Sequence, residues 1–285
     1  MTLGLRYMVE SAFYFSIMSV LVKFAGRTVP FQEIVLARTA VAFVASIVML
    51  RARGISVWGV NRPLLVLRGV LGFVGLVCFY YSITHLPLAD ASVIQYTNPV
   101  LVAVLAALLL GEALTVGVVV SAIACFIGVV MIARPAFLFG AHEPLPPVAL
   151  AAAITGALVS SFAYTVVRKL GATDHPIVIV FWFPLVALPF ALPWAISTGY
   201  VPNVHELALL LGVGIATQAA QVRMTQGLQL EQAGRATSIT YLQVVFAFVW
   251  GLLLFDEVPA WPAVLGAVTV LAAVVFVARS RRAHG

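Results

Sequence analysis

The chain has 285 residues, of which 63% are hydrophobic and only 9% are charged, against about 25% charged residues in an ordinary soluble domain. A water-soluble protein needs a charged surface, so this composition excludes a solvated enzyme and a disordered chain. The net charge of +6 does not indicate nucleic-acid binding, because the 16 Lys and Arg residues stand singly between long apolar runs.

The apolar runs predict an all-α membrane protein with ten transmembrane helices, since about 20 apolar residues cross a bilayer as a helix. The strands of a membrane β-barrel are near ten residues long and alternate in polarity, which these runs do not. In chain order the predicted helices are Tyr7–Val22, Ile34–Leu50, Leu64–Ile83, Ala91–Leu110, Thr115–Ala133, Leu150–Val167, Ile177–Ser197, Leu207–Leu228, Ala236–Phe255 and Ala260–Ala278.

Basic residues predict the orientation of these helices. One side of the membrane receives eleven of them, namely Arg6, Arg51, Arg53, Arg62, Arg68, Arg168, Lys169, Arg235, Arg279, Arg281 and Arg282. The other side receives Lys23, Arg27 and Arg134. The positive-inside rule then places both termini in the cytoplasm, and we expect a bacterial inner membrane.

The residues that metal, redox or hydrolytic chemistry would use are not grouped in this sequence. Cys78 and Cys125 both lie inside apolar segments, where they are small hydrophobic residues. The five histidines fall in loops or in the tail, and neither an HExxH nor a GxSxG motif is present. We therefore expect no enzyme activity, no metal and no cofactor.

The second half of the chain repeats the first at an offset of 145 residues. Between Ala91–Glu112 and Ala236–Glu257, eight of 22 positions are identical. The register persists at the ends of the repeat, where Val129–Arg134 (VVMIAR) aligns with Val274–Arg279 (VVFVAR). The sequence thus predicts an internal duplication.

Each predicted repeat, residues 1–140 and 146–285, contains five helices. Because five is odd, the second repeat enters the membrane from the opposite side, and such inverted repeats suit alternating access. The architecture predicts a secondary transporter. The alternatives are a non-saturable channel or facilitator pore for small solutes, and a scaffold that inherited the duplication.

The fourth helix of each predicted repeat ends in a glutamate turn, at Glu112 and at Glu257. The passage between Tyr80 and Pro99 contains the segments YYSI, LPLADAS and NP. With the helix count and the repeat, these features resemble the drug/metabolite transporter superfamily, and within it the EamA-type exporters. The resemblance covers nearly the whole chain and implies a central cavity lined mainly by helices 1, 3, 4, 6, 8 and 9. It does not fix the substrate. Val244 stands where the first repeat has Pro99, so a kink common to helices 4 and 9 does not follow from the sequence.

Polar side chains at membrane depth are costly and tend to face a cavity or another helix. Gln95 and Asn98 on helix 4 match Thr240 and Gln243 on helix 9, and each pair is spaced to share a helix face. The predicted substrate-binding residues are Tyr14, Tyr81, Gln95, Asn98, Tyr164, Gln218, Gln221, Thr240 and Gln243. Hydrogen bonding between helices without any ligand is the alternative, and it is the leading one for Ser and Thr.

Three residues are predicted to act in gating or entry: Arg38, Pro99 and Pro184. Pro99 removes a backbone donor and frees the carbonyl of Gln95, whereas Pro184 lies in a helix that is either simply bent or hinged. Arg38, about one turn inside helix 2, either snorkels to the interface or attracts an anion. Arg223 in helix 8 has the same two interpretations.

The carboxylates lie at or near helix ends, so we expect gradient-driven transport or exchange without proton coupling. Glu112 and Glu257 are expected to cap the helices that follow them, and Glu10 to pair with Arg6. Without an acidic group to neutralise a cation, the site fits a neutral or zwitterionic solute, so the prediction is export of neutral or aromatic amino acids or similar metabolites.

The expected partners are the small-molecule substrate and the lipid bilayer, with no nucleic acid. Helices 5 and 10 are almost purely apolar and rich in small residues, which suits contact with lipid or with a second copy. The sequence therefore predicts a monomer or a weak homodimer through helices 5 and 10.

Overall fold

In the computed structural model, which describes residues 1–134, 138, 145–254 and 261–279, all regular secondary structure is helical. Ten segments are long and apolar enough to cross a membrane, which confirms the predicted all-α membrane protein with ten transmembrane helices. We number them spans 1 to 10; spans 4 and 9 are each divided into shorter helices. Their bounds are Leu3–Ala25, Phe31–Ala52, Arg62–His85, Leu88–Gln95 with Asn98–Leu110, Val116–Ala133, Pro147–Leu170, Pro176–Ile196, Val204–Leu230, Ala233–Ser238 with the 3-10 turn Ile239–Tyr241 and Leu242–Leu254, and Trp261–Arg279.

Polar side chains in the turns fix where several spans begin. The hydroxyl of Thr115 accepts a hydrogen bond from the Val118 N–H at 3.3 Å, at the start of span 5. At the start of span 8, Asn203 and Glu206 form a capping box with bonds of 3.0 and 2.9 Å. Because lipid supplies no partner for the free N–H groups of a helix end, such caps set the boundary between turn and span.

The closest helix pairs join the first five spans to the last five. Span 1 packs along span 8 and span 3 along span 6, whereas span 5 packs along span 10 and span 2 along span 7. Exchanging each span for the one five places away maps the 1–8 pair onto the 6–3 pair. The same exchange leaves the 5–10 and 2–7 pairs unchanged.

Spans 5 and 10, which the sequence places at a lipid-facing or dimer-facing position, contact each other. A Cβ atom added to Gly128 would lie 2.7 Å from the Gly266 carbonyl oxygen, and one added to Gly266 would lie 2.5 Å from that of Gly128. Glycine at both positions therefore allows the two backbones to approach closely, as small residues do between membrane helices. The opposite faces of both spans carry exposed apolar residues, among them Ile123 and Phe276.

Spans 4 and 9 are interrupted at equivalent positions. Span 4 breaks between Gln95 and Asn98, and span 9 passes through the 3-10 turn Ile239–Tyr241, although only span 4 has a proline there. The Tyr241 hydroxyl donates a hydrogen bond of 2.8 Å to the carbonyl of Tyr96, and the two rings stack with centroids 6.0 Å apart. The breaks therefore meet at the 145-residue equivalents Tyr96 and Tyr241, where one break satisfies a backbone group of the other.

Candidate functional site

A polar cavity of about 120 Å³ lies among spans 2, 3, 4, 6, 7 and 8. The resemblance implied spans 1, 3, 4, 6, 8 and 9; of these, spans 3, 4, 6 and 8 line the cavity, whereas spans 1 and 9 do not, and spans 2 and 7 line it instead. Gly72 and Gly75 near the middle of span 3, and Ser160 near the middle of span 6, place the cavity at mid-depth in the bundle. The lining residues are Arg38, Arg68, Gly72, Gly75, Leu76, Phe79, Gln95, Ser160, Ala163, Tyr164, Phe183 and Gln221.

A second pocket of about 10 Å³ shares three residues with this cavity, Arg38, Phe183 and Gln221. Its wall also contains Pro184 and Gln218. We call the two pockets together the central site. It contains six of the residues that the sequence singled out, namely Arg38, Gln95, Tyr164, Pro184, Gln218 and Gln221.

Arg68 is the most deeply buried charge of the central site, with only 4% of its surface exposed. Its guanidinium lies over the Phe183 ring, 5.6 Å from the centroid, and its Nε and Nη1 atoms are buried without a hydrogen-bond partner. A Cβ atom added to Gly72 would lie 2.2 Å from Arg68 Nη1. Glycine at position 72 therefore provides the space that the guanidinium occupies.

Arg38 reaches the same cavity from the opposite end of the bundle. It lies in span 2, seven residues from the first residue of that helix, whereas Arg68 lies six residues into the antiparallel span 3. Each is about 10 Å along its helix from the respective end. The Nε atom of Arg38 is also buried without a hydrogen-bond partner. The two guanidinium groups thus converge on one site from opposite sides of the membrane.

Gln218 is the amide of the site with the most defined contacts. Its Nε2 donates to the Ser46 hydroxyl at 2.8 Å, while its Oε1 is buried without a partner. The amide nitrogen of Gln218 therefore links span 8 to span 2, whereas its amide oxygen can accept a hydrogen bond from a ligand.

Other predicted site residues lie away from the lining of this cavity. Asn98 is buried, with its Nδ2 3.4 Å from the Ala157 carbonyl oxygen of span 6. The Thr240 hydroxyl bonds within span 9, to Thr237 at 2.6 Å. Tyr81 is 40% exposed and stacks on His85, with ring centroids 4.1 Å apart.

The last three predicted residues also lie outside the lining of the cavity. Tyr14 is half-buried, with its ring centroid 6.1 Å from that of Phe13 on the same helix. Gln243 is half-buried on span 9. Pro99 is buried beyond the break in span 4, and its carbonyl oxygen is 3.4 Å from the Thr237 hydroxyl.

Charged residues at one end of the bundle are neutralised, in contrast to those of the central site. We call this the basic end; it comprises Thr2, Glu112, Arg168, Glu231 and Arg235. The structure corrects the role of Glu112: it contacts Arg168 Nε at 2.6 Å and accepts the Ala233 N–H at 2.6 Å, so it caps span 9 rather than the span that follows it. Glu257 lies outside the described residues.

The basic end also contains a deeply buried ion pair. Arg235 and Glu231 are 3.2 Å apart, and their side chains are 6% and 1% exposed. Arg235 further donates to the Val277 and Ala278 carbonyls of span 10 at 3.2 and 3.0 Å.

Arg223, on span 8, also contacts a carboxylate. It lies 2.9 Å from Glu10, which also forms the predicted pair with Arg6 at 3.0 Å. The guanidinium of Arg223 covers the Tyr7 ring at 4.9 Å from its centroid. This arginine therefore joins span 8 to span 1.

Sequence reasoning missed Arg68, Phe183 and the two glycines of the cavity wall. It counted Arg68 among the basic residues flanking helix 3. The signal that identifies the site is helical spacing: Arg68, Gly72 and Gly75 recur at four and three residues and so lie along one face of span 3. Two glycines on the same face as an arginine leave room for a long polar side chain inside the bundle.

Comparison with known proteins identifies what this architecture is similar to. The model of the EamA-like transporter family matches residues 2–134 and again residues 147–279. These two segments begin 145 residues apart, which is the offset of the internal repeat. A solved crystal structure with 18% sequence identity has the same fold, with a TM-score of 0.82 over 97% of this chain and 96% of that one.

Several relatives are described as transporters, and three of them come from different organisms. The pseudopaline exporter CntI of Pseudomonas aeruginosa is 33% identical over 280 residues, which cover 98% of this chain and 97% of that protein. Solute carrier family 35 member G1 of Mus musculus is 30% identical, over 94% and 76% of the two chains. The S-adenosylmethionine uptake transporter of Rickettsia prowazekii is 25% identical, over 78% and 74%.

Proposed function

The chain belongs to the EamA-like transporter family, and on that premise we propose that it exports small organic solutes by alternating access. The observation that carries the proposal is the central site. It is a polar cavity at mid-depth, lined by spans of both halves of the chain, where carriers built from inverted repeats bind their substrates.

The proposed mechanism rests on the relation between the two halves. The pairing of spans 1 with 8 and 3 with 6 is the pattern that a two-fold relation between the repeats would produce. The interrupted spans 4 and 9 meet through Tyr96 and Tyr241, and in carriers of this kind interrupted helices from the two repeats form the fixed site around which the halves move. Both features support an inverted repeat whose halves exchange conformations.

The proposed substrates are neutral or aromatic amino acids or similar metabolites. Phe79, Tyr164 and Phe183 offer aromatic walls, and Gln95 and Gln221 offer amides that bind polar groups. A relative that is 33% identical carries the name of an exporter, which supports export as the direction of flux.

The proposed orientation has both termini in the cytoplasm of a bacterial inner membrane, so that the basic end faces the cytoplasm. We expect reporter fusions at Gly285 and in the loop 135–147 to lie on opposite sides, the first cytoplasmic and the second external. Two fusions on the same side would contradict the ten-span topology.

The test of transport is uptake of L-phenylalanine, L-leucine and L-glutamine into liposomes that contain the pure protein. Saturable uptake with countertransport is expected, whereas linear, concentration-driven flux would indicate the channel alternative. No flux of any of these three solutes would contradict the proposed substrate class.

The matched variants are Gln221→Ala in the cavity and Thr269→Ala on the exposed face of span 10. Loss of a buried amide that binds substrate should lower affinity by roughly 5- to 150-fold, and Thr269→Ala should have no effect. Asn98→Ala and Gln243→Ala test whether the site extends to spans 4 and 9. If Gln221→Ala binds substrate with wild-type affinity, the cavity is not the substrate-binding site.

A further inference from the structure

We propose that the substrate is an organic anion, and that its carboxylates bind Arg38 and Arg68 in the central site. This inference rests on the proposed transport function but replaces the neutral amino acids with organic anions as the preferred substrates. It favours metabolites with more carboxylates than amino groups over the neutral amino acids.

The first observation is the convergence of two cations on one small cavity. Arg38 and Arg68 come from different spans and both line the same space of about 120 Å³. Between them, three guanidinium nitrogens are buried without a hydrogen-bond partner. The planar N–H fork of arginine matches a carboxylate bidentately, so these are the donors that an anionic group requires.

The second observation is the charge balance of the bundle. Within the described part of the chain, no carboxylate forms an ion pair with Arg38 or Arg68, whereas Glu10, Glu112 and Glu231 each pair with another arginine. Asp90, whose carboxylate oxygens are buried without a partner, is in the first turn of span 4 and does not line the cavity. The central site therefore carries two positive charges without a protein counter-ion.

An unpaired charge inside a membrane protein is expensive and tends to mark a substrate or ion pathway. A neutral amino acid would supply one carboxylate together with an ammonium group, which repels the second guanidinium. A second carboxylate would instead pair with it. The cavity of about 120 Å³ is well above the roughly 10–15 Å³ that a single water requires, so it is large enough for a carboxylate before the bundle opens.

Snorkelling of Arg38 and stacking of Arg68 on Phe183 are the structural alternative. Under that alternative the arginines anchor their helices and the cavity does not prefer anions. The two interpretations differ in whether bound carboxylates need these guanidinium groups.

The test uses the purified full-length protein and a matched set of ligands: glutarate, L-glutamate, L-glutamine and inorganic phosphate. Binding is followed by the increase in melting temperature with ligand concentration. We expect glutarate and L-glutamate to bind at least about tenfold more tightly than L-glutamine. Equal binding of L-glutamine, binding of phosphate alone, or no binding of either carboxylate would overturn the proposal.

Arg38→Gln and Arg68→Gln should each weaken glutarate binding at least about tenfold, because each removes a charged donor. The matched control is Arg223→Gln, since Arg223 is a guanidinium of span 8 that pairs with Glu10 outside the cavity. It should change the affinity less than about twofold. If Arg223→Gln loses as much glutarate affinity as the two cavity variants, the effect is due to net charge, and the proposed carboxylate site is wrong.

If Arg68→Gln does not fold, Arg38→Gln and the charge-retaining Arg68→Lys carry the same test. Arg68→Lys should keep the preference for glutarate over L-glutamine while lowering the affinity, because lysine lacks the fork. Saturable transport of L-phenylalanine without any anion preference would leave the transport function standing while this inference fails.

Discussion

Arg235 at the basic end and Arg68 in the central site are 5% and 4% exposed, but their surroundings differ. Arg235 contacts a carboxylate and two backbone carbonyls, whereas two nitrogens of Arg68 have no hydrogen-bond partner. Burial alone therefore does not separate a structural arginine from a functional one. The number of satisfied N–H groups does, because an arginine whose partners are all in the protein has none left for a ligand.

The comparison predicts opposite outcomes for the same substitution at the two positions. Arg235→Met removes the guanidinium that contacts the carboxylate of Glu231, a side chain that is 1% exposed. We expect a loss of about 3–5 kcal/mol in the free energy of unfolding, the cost of breaking a buried pair from one side. Chemical denaturation in detergent micelles measures it. A loss below about 1 kcal/mol would show that the basic end is not held by this pair.

Glu112→Gln tests the less buried part of the basic end. The variant weakens the 2.6 Å contact with Arg168 and the 2.6 Å cap on Ala233, but keeps the volume of the side chain. Charged hydrogen bonds of this kind contribute about 1.5–3 kcal/mol, and the Glu112 side chain is 14% exposed, so we expect about 1–2 kcal/mol. A double-mutant cycle with Arg168→Met separates the pair from the cap, and additive effects would contradict a direct coupling.

Arg68→Met applies the substitution used at Arg235 to the central site. The variant removes a buried charge that has no protein counter-ion, so the free energy of unfolding should stay unchanged or rise by about 1 kcal/mol. Uptake of the transported solute into liposomes should fall below about a tenth of wild type, because a charged donor is lost. A destabilisation as large as that of Arg235→Met, with uptake retained, would make Arg68 a structural residue and reverse the comparison.

The fold was predictable from the sequence because the lengths of the apolar runs and the turn residues between them determine the spans. The central site was predictable only in part, since the rotation of each helix depends on tertiary packing. Gln95 and Asn98 are spaced to share a helix face, yet the break in span 4 lies between them, and only Gln95 reaches the cavity. Arg68 was assigned to the membrane edge because its distance from the helix start does not reveal that Gly72 provides space beside it.

The smallest effect is expected for Arg6→Met, which removes a partner from an exposed pair. The Arg6 side chain is 68% exposed, and its partner Glu10 also lies 2.9 Å from Arg223, so the carboxylate keeps one guanidinium after the substitution. Solvent screens such a pair, and we expect a change of no more than about 0.5 kcal/mol in the free energy of unfolding, with uptake unchanged. The free energy of unfolding and the uptake of Arg6→Met are measured under the same conditions as those of Arg235→Met and Arg68→Met. If Arg6→Met costs as much as Arg235→Met, then the burial of an ion pair does not determine how much the pair contributes to stability.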